Sequence, residues 1–438
     1  MDEKPLPPGK SGLPLIGQTL TFLKDEFRFV AENSETHGPI FRANVLGRKA
    51  VFLSGPEGTA LFNDERYVQR AGGMPDFVEE IFGGKSLPLL DGDVHRARKQ
   101  QVLGAFQRDA IESYVPLLQA CIERWLARRQ KGGEFQAAVQ LKNLALEGIA
   151  RTMLSIEPGP ELDTIIDSFG VLTKGFAGLP ISLPGTRFTR ALAARDRILD
   201  LLRAQVERHR ARDFGDGLSR VLTRTAADGS KISDENAVLE LHHFNMAGYL
   251  VYCHICALLC ELSRHADVRA RLTAEVDSAG KGALTAAKLD GMPYLDCVVK
   301  ELKRFTPLIP VFFGKAKRDF DFNGRRVPAG WTVFWGAHAS AHFKRTFEQA
   351  ERFDPDRFSV ERAEHKRHPC AFAPQGAGEL AAGHKCAGFD YSTLFLQLFT
   401  VALLRSYTWE LPSQNLEYVY SMVPPEHADG LRVTLNLR

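Results

Sequence analysis

The chain has 438 residues, 44% of them hydrophobic and 25% charged, which is the make-up of a folded protein with a sizeable core. A formal net charge of +3 is too small to argue for a nucleic acid partner. The cysteines, at 121, 253, 256, 260, 297, 370 and 386, are odd in number and sit mostly in apolar stretches, which argues against a disulfide framework and for reduced thiols in a cytoplasmic protein.

Residues 1–20 form a proline-rich lead, with Pro5, Pro7, Pro8 and Gly9, and hold no apolar run near the ~20 residues a membrane span needs. No membrane anchor is expected. Residues 39–54 read as a β-hairpin turning near Gly47. From 56 to 310 the pattern is mostly helical, with amphipathic segments at 111–129, 137–155, 189–212 and 234–264. The connector 176–188 is apolar and broken by Pro and Gly; it is either a lid over a hydrophobic pocket or a buried crossover. A second β-rich part covers 319–335, where Asn323-Gly324 is a strong hairpin turn. An apolar helix at 389–404 and short strands over 407–437 close the chain. With no internal repeat and no low-complexity linker, 1–438 reads as one domain, mainly α with small β-sheets.

The stretch from Phe372 to Gly388 concentrates chemistry. Glycines at 376, 378, 383 and 388 let backbone approach a flat partner, and Cys386 falls just before a helix start. Unpaired N–H groups there favour a thiolate, and an anionic sulfur is a strong axial ligand for heme iron. Cys253-x-x-Cys256 is a weaker signal, because Cys260 extends the same face among Leu, Ile and Ala as a helical core stripe does. Glu301 and Arg304 stand three apart on one helix face, and Arg357 offers a second guanidinium to the same carboxylate. His95 and Lys99 lie one helical turn apart and suit two carboxylates, whereas Arg96 and Arg98 read as a solvated basic face.

Phe372, Pro-Gln-Gly-x-Gly around Gly376, and Gly-His-Lys-Cys386-x-Gly together resemble the heme loop of the cytochrome P-450 superfamily. The Phe lies fourteen residues before the cysteine, which is similar to the bacterial fatty-acid peroxygenase branch. The resemblance implies a cytochrome P-450 fold, heme b as cofactor and Cys386 as the metal ligand. It further implies that Arg70, His95, Lys99 and His384 contact the heme, that Gly314 replaces a usual arginine, and that Glu301, Arg304 and Arg357 brace the structure. An apolar lipid-like or terpenoid-like substrate is expected.

Relatives that activate dioxygen carry Ala/Gly-Gly-x-Asp/Glu-Thr in the long helix, where the acid and alcohol relay protons. Here the stretch reads Phe244-Asn245-Met246-Ala247-Gly248-Tyr249-Leu250-Val251, so Leu250 and Val251 fill those two places. Three oxidising readings follow: hydrogen peroxide or an organic hydroperoxide as oxidant, rearrangement of a hydroperoxide substrate, or a monooxygenase fed by a ferredoxin/reductase system. The second draws on Phe-Asn-x-x-Gly, which resembles allene oxide synthases and puts Asn245 beside peroxide oxygens. Asn245, Ala247 and Gly248 are the candidate catalytic positions. A heme-binding sensor without turnover is the alternative of another class.

Overall fold

The computed structural model describes residues 4–131, 133–176, 180–420, 422 and 424–438. A helical body stands beside a β-rich side, as the hydrophobic periods require. The strands Ile40–Val45 and Arg48–Leu53 pair antiparallel about the Leu46-Gly47 turn, where both residues have positive φ. Arg48–Leu53 then pairs parallel with Thr332–Trp335, which pairs antiparallel with Phe312–Ala316, and Val68–Gln69 closes that edge. The two β-rich stretches, far apart in sequence, are thus one sheet. Phe41, Phe52 and Phe334 stack across it with ring centroids 4.7 and 4.6 Å apart. Asn323-Gly324 turns the small hairpin of Phe320–Phe322 and Arg325–Val327.

The expected helices are present as Arg108–Gln130, Ala137–Leu154 and Arg187–Ala211, and the helix after Cys386 spans Phe389–Ser406. Cys253, Cys256 and Cys260 are buried core thiols, and all seven cysteines are free.

Two expectations need correction. The connector is no buried crossover where it is described: Ile181 and Leu183 are 46% and 61% exposed. Its carbonyls are satisfied locally, by the Thr186 hydroxyl on Ile181 O and the Thr189 hydroxyl on Leu183 O. Residues 177–179 of that stretch lie outside the described residues.

The long apolar helix is broken. Asp234–Gly248, capped by Ser233, and Val251–Arg264 flank a turn at Tyr249-Leu250. There the bonds tighten to three-residue spacing, from Leu250 N to Ala247 O and from Cys253 N to Leu250 O. Gly248 supplies little helix propensity, and it packs so closely on Ile149 that a Cβ would come within 2.7 Å of Ile149 Cδ1. Asp234–Arg264 is long and apolar enough to cross a membrane, yet 78% of its most apolar window is buried inside the fold.

Candidate functional site

The Cys386 loop owes its shape to Gly376. That residue has φ +85°, and a Cβ there would lie 2.5 Å from His384 O, so only glycine lets the two arms of the loop touch. Cys386 N donates to Gln375 O at 2.8 Å, which sets the sulfur just before the helix Phe389–Ser406. Phe372 packs edge-on against Phe358 at 5.0 Å.

Beneath this helix start lies a buried cation that sequence reasoning missed. Lys303 is 3% exposed and shares its protons among Phe389 O, Ser392 Oγ, Thr393 Oγ1 and Gln375 Oε1 at 2.7–3.0 Å. Burial pushes its pKa down to about 7, against the pull of the Cys386 sulfur. A cation at a helix N-terminus opposes the dipole and needs an anion beside it. Lys303 falls four residues after Val299, on the apolar face of its helix, and that placement was the available signal.

The brace has the expected geometry. Glu301 accepts from Arg304 Nε at 2.7 Å, Arg304 Nη2 at 2.8 Å and Arg357 Nε at 3.1 Å, and all three side chains are fully buried. Asp354 N adds a backbone bond to the same carboxylate at 2.8 Å. Buried Glu364, which the sequence did not point to, pairs with Arg357 at 3.0 Å and balances the second guanidinium.

On the other side of the loop, basic groups gather. The His95 and His384 rings stand 4.1 Å apart; among the described residues neither His95 Nδ1 nor His384 Nε2 makes a hydrogen bond, although His384 Nε2 faces Glu65 Oε1 at 3.3 Å and Asp91 Oδ1 at 4.0 Å. Burial, helped by Lys99 and Arg70, lowers the His95 pKa to about 4; burial, Arg70 and His95 lower that of His384 to about 2. Lys99, 2% exposed, donates to Lys385 O; burial lowers its pKa to about 8. Arg70 is pinned by Phe62 O at 2.9 Å and Asn63 Oδ1 at 3.1 Å, its guanidinium over the Phe62 ring. Gly314 sits where any side chain would strike Val68 Cγ1 at 2.6 Å, so no arginine fits there.

Arg98 is a correction. Arg96 is 41% exposed, as a solvated face requires, but Arg98 is 8% exposed and pairs with Glu240 of the long helix at 2.9 Å. The helix Gly92–Val102 turns this side chain toward a buried carboxylate, which also accepts from Leu87 N at 2.9 Å.

Along the long helix, residues 237–262 are buried except His243, Ala247, Gly248 and Leu250. His243, Ala247 and Leu250 follow helical spacing and form one uncovered strip. Asn245 is 1% exposed, and among the described residues its amide oxygen and nitrogen have no hydrogen-bond partner. Two residues turn a helix by about 200°, so Asn245 and Ala247 point to nearly opposite sides and the structure does not bring them together. Leu250 and Val251 carry no group that could pass a proton.

A glycine-tight thiol loop at a helix start, an uncovered strip of apolar helix and a buried basic cluster beside the loop define the site of a heme-thiolate protein. Two heme propionates would add carboxylates to this basic cluster, beside Glu65 and Asp91. The family model described as Cytochrome P450 matches residues 7–423, and the chain belongs to that family.

The chain is 28% identical to cytochrome P450 120 of Synechocystis sp. over 100% of its own length and 98% of that protein. It is 26% identical to cytochrome P450 26B1 of Danio rerio, over 98% of this chain and 86% of that one. Among solved structures, retinoic acid-bound cyanobacterial CYP120A1 matches with a TM-score of 0.90 and 27% identity, covering 100% of both chains. CYP152N1 with myristic acid matches with a TM-score of 0.81 over 100% of both chains, but at 21% identity that likeness shows the fold alone. The protein is a heme-thiolate oxidoreductase whose family binds heme b.

Proposed function

We propose that the protein oxidises an apolar isoprenoid-like or lipid-like molecule, with a peroxide as oxidant and Cys386 as the axial thiolate. Bound heme would supply the oxidising power, which the thiolate strengthens by donating electron density. Lys303 and the helix start place positive charge beside that sulfur; His95, Lys99 and His384 hold the heme carboxylates; Glu301, Arg304 and Arg357 keep the loop in register. The retinoic acid bound in the CYP120A1 structure supports an apolar isoprenoid acid as substrate class here.

The observation that carries the peroxide reading is the pair Leu250-Val251 at the proton-relay positions. Reduction of dioxygen by an electron partner needs protons drawn from solvent, and neither aliphatic side chain can pass one on. Peroxide arrives with its own protons.

One assay tests this. Heme-loaded protein is given retinoic acid or a long-chain fatty acid, with either hydrogen peroxide or a ferredoxin/reductase pair and a nicotinamide donor. Oxidised product with peroxide is the expected result. Product with the reductase pair and none with peroxide overturns the reading in favour of a monooxygenase, and no product with either leaves a heme-binding sensor.

A further inference from the structure

The proposed use of peroxide leaves one chemical need unmet. A proton must leave one peroxide oxygen and reach the other, so that the second departs as water. We infer that His243, oriented by Glu240, performs this transfer; the inference rests on the peroxide reading above.

Glu240 is wholly buried, and its Oε1 accepts from Arg98 Nη1 and Leu87 N, both at 2.9 Å. Its Oε2 lies 3.3 Å from His243 Nδ1, one turn along the same helix. Arg98 holds the carboxylate in place, and its free oxygen, facing Nδ1, fixes the imidazole as the tautomer with its proton on Nδ1. Nε2 is then a free base. Among the described residues it has no hydrogen-bond partner, and the side chain keeps 18% exposure. His243 lies four residues before Ala247, on the uncovered strip that runs to Leu250. Phe82, with its ring centroid 6.0 Å away, flanks the imidazole.

An unassisted surface histidine would not explain the company it keeps. A buried carboxylate is costly unless it is paired, and Arg98 and Leu87 N already satisfy one of its oxygens. The second oxygen is spent on His243. Nε2 takes the proton from one oxygen of the peroxide and returns it to the other as the O–O bond breaks. The balance is R–H + H2O2 → R–OH + H2O, with His243 neutral before and after. Glu240 is closed off from water at its far end, so the pair shuttles one proton back and forth and draws none from solvent. Dioxygen reduction would need such a supply. An alkyl hydroperoxide fits the same step, releasing an alcohol in place of water.

The test uses the full heme-loaded chain with His243→Leu, His243→Gln and Glu240→Gln, the last keeping one acceptor oxygen for Leu87 N and Arg98. Two signals are read in each: peroxide-driven turnover, and the C–O stretching frequency of the reduced carbon monoxide complex, which senses a hydrogen-bonding imidazole on that face. The expected result for His243→Leu is a loss of about 100-fold or more in turnover and a shifted stretch, with the thiolate absorption band intact. Glu240→Gln is expected to lose less and to shift the stretch part of the way. Unchanged turnover and an unchanged stretch in His243→Leu overturn the inference while leaving the thiolate reading standing. A wild-type protein without the thiolate band overturns both, and one that turns over with the reductase pair alone overturns the peroxide reading together with this one.

Discussion

The two sides of the candidate site are built on opposite terms. On the cysteine side the buried polar groups are closely bonded: Glu301 carries two guanidinium groups, Arg357 reaches a second carboxylate, and Lys303 divides itself among four oxygens. On the long helix, His243, Ala247 and Leu250 are left uncovered, Leu250 and Val251 carry no polar group, and the backbone tightens at Tyr249-Leu250. Saturated bonding fixes one arrangement, whereas an uncovered strip leaves room for a guest. The difference teaches that the fold holds its sulfur rigidly and keeps its reactive face spare.

That contrast can be broken outright at the sulfur. Cys386→Ala should remove the thiolate band of the reduced carbon monoxide complex and all oxidation; an unchanged spectrum would refute the ligand assignment. The next largest effect belongs to the brace. Glu301→Gln leaves buried Arg304 and Arg357 short of charge, and chemical denaturation should show a loss of about 3–5 kcal/mol. A stability within experimental error of wild type would show that the network is not what holds that side.

Acid probes the basic cluster between the two sides. In heme-free protein His95 titrates at about 4 against an ordinary 6.5, so the unfolded chain takes up the proton first. Its contribution is full above pH ~6.5 and lost as pH falls toward ~4, by up to roughly 3 kcal/mol on melting curves. Heme, by placing carboxylates beside the ring, should flatten that slope. The smallest effect sharpens the facing helix: Leu250→Glu with Val251→Thr installs an acid and an alcohol. Turnover driven by a reductase pair should then gain about tenfold or more relative to peroxide-driven turnover.

The cysteine side was legible in the sequence because its signals are local. Glycines mark where backbone must touch, and Glu301 and Arg304 share a face by spacing alone. The facing helix was read as one straight rod, because its break depends on how closely Gly248 meets Ile149, about a hundred residues away in sequence. Arg98 looked like one more solvated base, since nothing nearby in sequence announces Glu240. Lys303 is legible in principle, as a charge on an apolar stripe, but its spacing from Glu301 and Arg304 carries no pairing signal of its own.

The Arg98–Glu240 bond carries a mechanical consequence. Arg98 rides on the short helix that also bears His95 and Lys99, while its charge is anchored in the long helix. Sliding one helix without the other would strand a buried ion, at several kcal/mol. The two helices therefore travel as a linked pair, and a molecule that nudges the long helix also tugs on the grip around the rim of the heme.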